Sequence, residues 1–334
     1  MKIAMFEFSD SYLPLLEPLR AAGHEVQVSA ERLTPDNVGN YADVEVIATF
    51  INSWLGKETL GFLPKLKLIA MRSAGFDMVD MAHCHAKGIT VCNAAGYGDA
   101  SVAEHGFALL LALSKRIVEA AHKTRAGHFG YIPTPGFEIF GKVFGVVGTG
   151  RIGRHAASIA RAFGMEVLAY DAMPKPHEAQ RIGFAYVPLD DLLRRANFIS
   201  LHVPGNPATN GMISDREFGL MQHGAVLINT ARGAVVDTAA LIRALASGKL
   251  GGAGLDVLPQ EPALRDLTAL FEGTIPPGVN WQDAIAGFTV TRFENVIVTP
   301  HSAYNTIEAE RRLVTIPVEN ILAYAEGTPM NVVS

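Results

Sequence analysis

The sequence predicts an α/β chain built on two open parallel sheets. Two observations carry this reading. Short β-rich runs alternate with helix-like segments, and the alternation occurs in two sets, the second starting near Lys142. A length of 334 residues fits two domains of the usual size, about 100 to 200 residues each.

The first set reads "KIAMFEF", a helix-like stretch over 12–22, "EVQVSA", "EVIATF" and "LKLIAMRSAG". Between the sets, "SVAEHGFALLLALSKRIVEAAHKTR" has apolar residues at helical spacing and ends in basic residues that suit a helix C-terminus, so it is expected to be one connecting helix. The stretch 127–141, with Gly, Pro and aromatic residues but no period, is expected to be a loop. The second set runs "KVFGVVG", "MEVLAYD", "NFISLHV", "AVLINTARG", "GLDV" and "NVIVTP". A further irregular stretch is expected over 272–288, around "TIPPGVNW", and a last helix near 307–326, which could return the chain to the first domain.

Composition narrows the class. With 49% hydrophobic residues, 18% charged residues and 32 glycines, this is a well-packed chain with many tight turns. The net charge of −5 contains no block of like charge, which argues against nucleic acid and anionic membrane as partners and for a small molecule. The start, "MKIAMFEFSD", reads as a strand and not as a signal peptide, and the longest apolar run, 107–113, is far below the roughly 20 residues of a membrane span. Only Cys84 and Cys92 are present, too few for a disulfide framework, so a cytoplasmic location is expected.

One turn carries strong chemistry. In "GVVGTGRIGRHAASIARAFGMEVLAYD" an apolar strand leads to Gly148, Gly150 and Gly153, then to an amphipathic helix, and Asp171 closes the next strand. Gly148 permits the tight turn, Gly150 lets backbone N–H groups approach a pyrophosphate, and Gly153 allows close helix–strand packing. Asp171 can accept hydrogen bonds from both ribose hydroxyls and would repel a 2′-phosphate, which favours NAD over NADP. Arg151 is expected to face the pyrophosphate.

Three more groups follow strands of the second set: Arg232 in "INTARG", Glu261 in "GLDVLPQEP" and His301 in "VTPHSAY". Ligands of open α/β sheets gather at the carboxyl ends of strands. Arginine can clamp a carboxylate and polarise a neighbouring carbonyl, and histidine can protonate the oxygen as hydride reaches the carbon. A carboxylate would hold the other imidazole nitrogen and favour the cation. "HCH" at His83 and His85 offers no metal site, because residues i and i+2 of a helix do not share a face.

At these residues the sequence resembles the D-2-hydroxyacid dehydrogenase family. The likeness covers nearly the whole chain through "RSAGFD", "SVAEH", "GTGRIG" with Asp171, "LHVP", "NTARG", "GLDVLPQEP" and "TPHSAY". The resemblance implies two Rossmann-like, flavodoxin-like domains, a discontinuous substrate-binding one over 1–99 and 301–334 and an NAD-binding one over 100–300, with catalysis in the cleft between them. It places Arg232, Glu261 and His301 on catalytic positions and gives the backbone of Ser73, Ala74 and Gly75 to the substrate carboxylate. It also implies cofactor contacts at Ile152, His202, Val203, Pro204, Thr209, Thr230, Ala231, Arg232, Asp256, His301 and Ala303, and a homodimer with the helix after Ala100 as a plausible contact.

Within the family the D-lactate dehydrogenase branch is the nearest likeness. Tyr97 in "NAAGY" and Tyr304 stand where that branch has substrate-contacting aromatics, so the expected substrate is pyruvate or a close relative. Ala95 replaces a usual proline, and the stretch around "TIPPGVNW" is unfamiliar; both bear on the substrate more than on the reaction. Rival readings are glyoxylate, hydroxypyruvate or phenylpyruvate reductase, phosphite dehydrogenase, and an NADH-sensing corepressor. Formate oxidation is disfavoured by Glu261, where such enzymes carry glutamine.

Overall fold

Twelve strands form among residues 1–130, 135–261 and 280–333, which the computed structural model describes, and every strand pairing is parallel. The chain divides into two compact units, Met1–Gly98 with Asn305–Ser334, and Asp99–Tyr304.

The first unit holds β1 (Lys2–Met5), β2 (Glu25–Val28), β3 (Val46–Thr49), β4 (Leu68–Met71) and β5 (Thr90–Cys92), in the order β2-β1-β3-β4-β5. The inner strands β3, "VIAT", and β4, "LIAM", are buried at every position and the third inner strand β1 at all but its first, as expected of a parallel sheet covered on both faces, while the edge strand β2 is largely exposed. The helix Ile307–Ala325 closes this unit, burying Leu313, Val314, Val318 and Ile321, with Val314, Val318 and Ile321 packed in the cluster that contains Ile3 and Leu68. Its Thr306 cap accepts from the Ala309 N–H at 3.2 Å.

The second unit holds β6 (Val143–Val147), β7 (Glu166–Tyr170), β8 (Ala185–Tyr186), β9 (Phe198–Leu201), β10 (Ala225–Asn229), β11 (Leu250–Leu255) and β12 (Val296–Val298), in the order β12-β11-β10-β9-β6-β7-β8. The direction of strand addition reverses between β6 and β9, and that switch point leaves a crevice at the carboxyl ends of the strands. The helix Arg151–Ala162 turns Gly153, Ala156, Ala157 and Ala160 inward, small residues that let it lie close to the sheet.

The structure departs from the sequence reading in several places. The connecting segment is two helices, Asp99–Ser114 and Ile117–Arg125, broken where Arg116 takes a left-handed φ of 52°. The Phe137 N–H donates to the Ser114 carbonyl at 2.8 Å, so a tertiary donor captures the acceptor that would have continued the helix. In the stretch expected to be irregular, 281–288 is helical within Trp281–Val290; the Asn280 side chain caps it by accepting from Gln282 N–H at 3.0 Å, and Ala284, Gly287 and Val290 form its buried stripe. Residues 262–279, with "TIPPGV", lie outside the described residues. The second unit extends through Tyr304, so His301, Ala303 and Tyr304 belong to it and not to a segment beginning at 301. The reason is local: the N–H groups of His301, Ser302 and Ala303 all donate to Asp256 of that unit.

Among the described residues no helix is long and apolar enough to cross a membrane. Cys84 and Cys92 are free and fully buried, and burial pushes both thiols up to about 11. At pH 8 only about one thiol in a thousand would be the reactive thiolate. Both should therefore resist iodoacetamide in the native protein and react fully after denaturation, as read by mass spectrometry; rapid native labelling would contradict this burial.

Candidate active site

Five adjacent strands of the second unit, β6, β9, β10, β11 and β12, deliver their carboxyl ends to one edge of the sheet. Every candidate residue of that unit follows one of these strands or β7.

Behind β6, Gly148 has φ 95°, a backbone that side chains rarely adopt, and a Cβ there would sit 2.7 Å from the His202 carbonyl oxygen. Gly150 faces open space and caps the helix Arg151–Ala162 without a side-chain partner, and the Cβ of any larger residue at 153 would collide with the Gly148 carbonyl. Asp171, after β7, is half-buried. Desolvation would raise its pKa, but the N–H groups of Met173 and Thr149 and the Thr149 hydroxyl together hold the carboxyl below its ordinary value. It is ionised at neutral pH. Arg151 pairs with Asp99 at 2.5 Å, and its side chain is largely exposed. Thr230, after β10, is buried, and its hydroxyl has no hydrogen-bond partner among the described residues. An open glycine turn, an ionised acid at the end of the second strand and an orphaned hydroxyl on the same edge fit a dinucleotide.

On the other side of the switch point the Arg232 loop is folded by Asn229, whose side chain donates to the Arg232 carbonyl at 3.0 Å and accepts from Ala231 N–H at 3.0 Å. Arg232 Nη1 donates to the Ala231 carbonyl at 2.8 Å, and its Cγ lies where a Cβ on Gly205, just after Pro204, would come within 2.9 Å. Gly233 packs so closely on the Leu258 carbonyl and the Pro259 nitrogen that no side chain fits, which seats the Arg232 loop against the loop leading to Glu261. Glu261 Oε2 lies 2.8 Å from His301 Nδ1, and its other oxygen accepts from Leu258 N–H at 3.3 Å.

Asp256 is 1% exposed, and its carboxylate is engaged inside the His301 loop: it accepts from the Thr299 hydroxyl at 2.5 Å and from the N–H groups of Ser302 and Ala303 at 2.9 Å each. Val203 is half-buried beside His202, and Thr209 donates to the Pro204 carbonyl at 2.5 Å. Tyr304 is half-buried three residues past His301.

The first unit gathers its own candidates at the carboxyl ends of its strands. Ser73, Ala74 and Gly75 follow β4, with the Ser73 carbonyl accepting from Ala94 N–H at 2.9 Å and the Ala74 carbonyl from the Asn93 side chain at 2.8 Å. Tyr97 follows β5, and its carbonyl accepts from Arg312 at 2.6 Å.

A family model, the NAD binding domain of D-isomer specific 2-hydroxyacid dehydrogenases, matches residues 107–303. The chain belongs to the D-isomer specific 2-hydroxyacid dehydrogenase family. Its cofactor is NAD. A glyoxylate reductase of Thermococcus litoralis is 38% identical over 300 residues, 87% of this chain and 84% of that protein. A glycerate dehydrogenase of Methylorubrum extorquens is 37% identical over 93% of this chain and 92% of its own length. Among solved structures, the D-lactate dehydrogenase of Aquifex aeolicus with NAD and lactic acid is similar with a TM-score of 0.84 and 34% identity, covering 98% of this chain and 96% of that one.

Several residues of this dehydrogenase escaped the sequence reading. Thr149, between the first two turn glycines, bridges Asp171 and the Tyr186 hydroxyl. In the first unit Glu7, at a left-handed φ of 54°, accepts from the Thr49 hydroxyl, from the backbone and side chain of Asn52, and from the backbone and side chain of Ser53. Arg72 donates to the Phe6 and Glu7 carbonyls and lies 5.0 Å over the Phe8 ring. These partners lie tens of residues apart, so no local pattern marks them.

His202 carries a pH signature. Its half-buried ring, with Nε2 2.9 Å from the Ser200 hydroxyl, is pushed down from 6.5 to about 4 by desolvation. Below pH 6.5 the unfolded chain takes up a proton that the folded protein refuses until about pH 4, so stability contributed by this site falls across that window as pH falls. Urea midpoints at pH 7 and 5 should therefore fall more for the native enzyme than for His202→Gln; equal slopes would contradict the assignment.

Proposed function

We propose that this dehydrogenase reduces a small 2-oxo acid, pyruvate or one of similar size, to the D-2-hydroxy acid, with the glycine turn and Asp171 holding the dinucleotide. The carrying observation is the 2.8 Å contact between His301 Nδ1 and Glu261 Oε2 on the sheet edge that also bears the glycine turn. Bound NADH would supply the hydride accepted by the carbonyl carbon. With Nδ1 donated to Glu261, the proton to be moved sits on His301 Nε2 and passes to the carbonyl oxygen, leaving a neutral imidazole whose orientation Glu261 maintains. Arg232 clamps the substrate carboxylate and stabilises charge developing on that oxygen. Backbone N–H groups at Ser73, Ala74 and Gly75 receive the carboxylate, and Tyr97 and Tyr304 bound the side-chain pocket.

A second substrate, glyoxylate, is favoured by the glyoxylate reductases among the relatives. It needs the same residues and only a smaller pocket. We also infer a homodimer, supported by the exposed apolar residues Ile117, Val118, Phe129 and Phe140 in and beyond the helix Ile117–Arg125. Light scattering should return twice the chain mass, and a monomer would overturn this.

NADH oxidation followed at 340 nm with a panel of 2-oxo acids tests the substrate; a higher kcat/KM for glyoxylate than for pyruvate would move the reading to the smaller acid. His301→Ala should lower kcat by about 10²- to 10⁴-fold, the usual contribution of a positioned general acid. Unchanged turnover would remove His301 from the chemistry. Asp171→Ser should narrow the preference for NADH over NADPH, because the ionised acid repels a 2′-phosphate.

A further inference from the structure

His301 sits in the left-handed region with φ 52°, a conformation that costs a non-glycine residue free energy and persists only where the surroundings enforce it. Part of the enforcement is Asp256, which accepts from His301 N–H through its carbonyl at 2.8 Å and from Thr299, Ser302 and Ala303 through its carboxylate. The rest comes from the helix Asp99–Ser114, about two hundred residues earlier in the sequence. Ser101, 5% exposed, donates its hydroxyl to the Ala303 carbonyl at 2.7 Å. His105 Nε2 lies 2.9 Å from the Thr299 hydroxyl oxygen and 3.5 Å from Asp256 Oδ1.

The direction of the His105 bond follows from proton counting. The Thr299 hydroxyl has one proton, and it is committed to Asp256 at 2.5 Å, so the same oxygen accepts from His105, whose Nε2 must carry hydrogen. Ser101 and His105 are four apart and share one helix face, so a single rigid element grips the His301 loop at both ends, Thr299 and Ala303. This is the work of "SVAEH", a motif to which no contact with substrate or cofactor is assigned.

We propose that Ser101 and His105 are positioning residues for the reduction: acting through Thr299, Asp256 and Ala303, they hold the His301 imidazole where it can deliver its proton. The inference rests on the proton role given to His301. If that role is right, loosening the loop misplaces the acid and lowers kcat by a larger factor than it weakens NADH binding or raises the KM of the 2-oxo acid.

The test compares His105→Ala, His105→Gln and Ser101→Ala with the native enzyme, measuring kcat and KM for the best 2-oxo acid of the panel, NADH affinity by fluorescence, and Tm. His105→Ala should cost about tenfold or more in kcat, since small misplacements of a reacting group are that expensive. His105→Gln, whose amide N–H can donate to Thr299, should recover most of the loss. In a His301→Ala background, His105→Ala should cost less than about twofold, because residues acting as one unit are not additive. Native kcat in His105→Ala and Ser101→Ala, while His301→Ala is impaired, overturns this inference alone. A glutamine variant no better than alanine, or an equal loss in the His301→Ala background, also overturns it. Full activity in His301→Ala itself would instead overturn the proton role. Should His105→Ala fail to fold, Ser101→Ala, which removes only the Ala303 contact, carries the same comparison.

Discussion

The buried carboxylate of Asp256 is the constraint on which the candidate site depends. It stands at the end of β11 and is 1% exposed, so its oxygens must be satisfied by protein, and the loop after β12 supplies the donors. Hydrogen bonds to a carboxylate contribute about 1.5 to 3 kcal/mol each, enough together to offset the strain of one left-handed residue at about 1 to 3 kcal/mol. The loop therefore has one conformation, with the N–H groups of 301–303 turned to Asp256 and the imidazole of His301 turned to Glu261. Two neighbouring strands thus fix His301 and Glu261 without either residue lying on a strand.

Around that constraint the strand order does the rest. Because every pairing in the second unit is parallel, all strands leave the sheet at the same edge, and reversal between β6 and β9 opens a crevice there. The glycine turn lies on one side of the switch and the Arg232, Glu261 and His301 loops on the other. Backbone proximity makes the seats: Gly148 against the His202 carbonyl, Gly233 against Leu258 and Pro259. A methyl group at either position would have to displace backbone, which a packed interior resists.

The first unit uses the same device with different chemistry. Glu7 draws Thr49, Asn52 and Ser53 around one carboxylate, and Arg72 ties the Phe6 and Glu7 carbonyls to the stretch that continues into Ser73. In both units a buried or half-buried acid organises the loop after a strand, Glu7 in the first and Asp256 in the second.

The sequence by itself determined the two-sheet α/β class, the glycine turn with its acid, and the placing of Arg232, Glu261 and His301 after strands of the second sheet, because each is written in residues that neighbour one another along the chain or in motifs that end strands. Apolar alternation is local, and so is the spacing from Gly148 to Asp171. It could not determine the three-residue strand β5, whose existence depends on β4 lying beside it, or the break at Arg116, where Phe137 takes the Ser114 carbonyl. Nor could it give the helix over Trp281–Val290 its buried stripe without the helix Thr238–Ala246 that it packs against. The bracing of His301 from Ser101 and His105 was likewise invisible: a hydrogen bond across some two hundred residues leaves no period or spacing, and only the tertiary structure brings its two ends together.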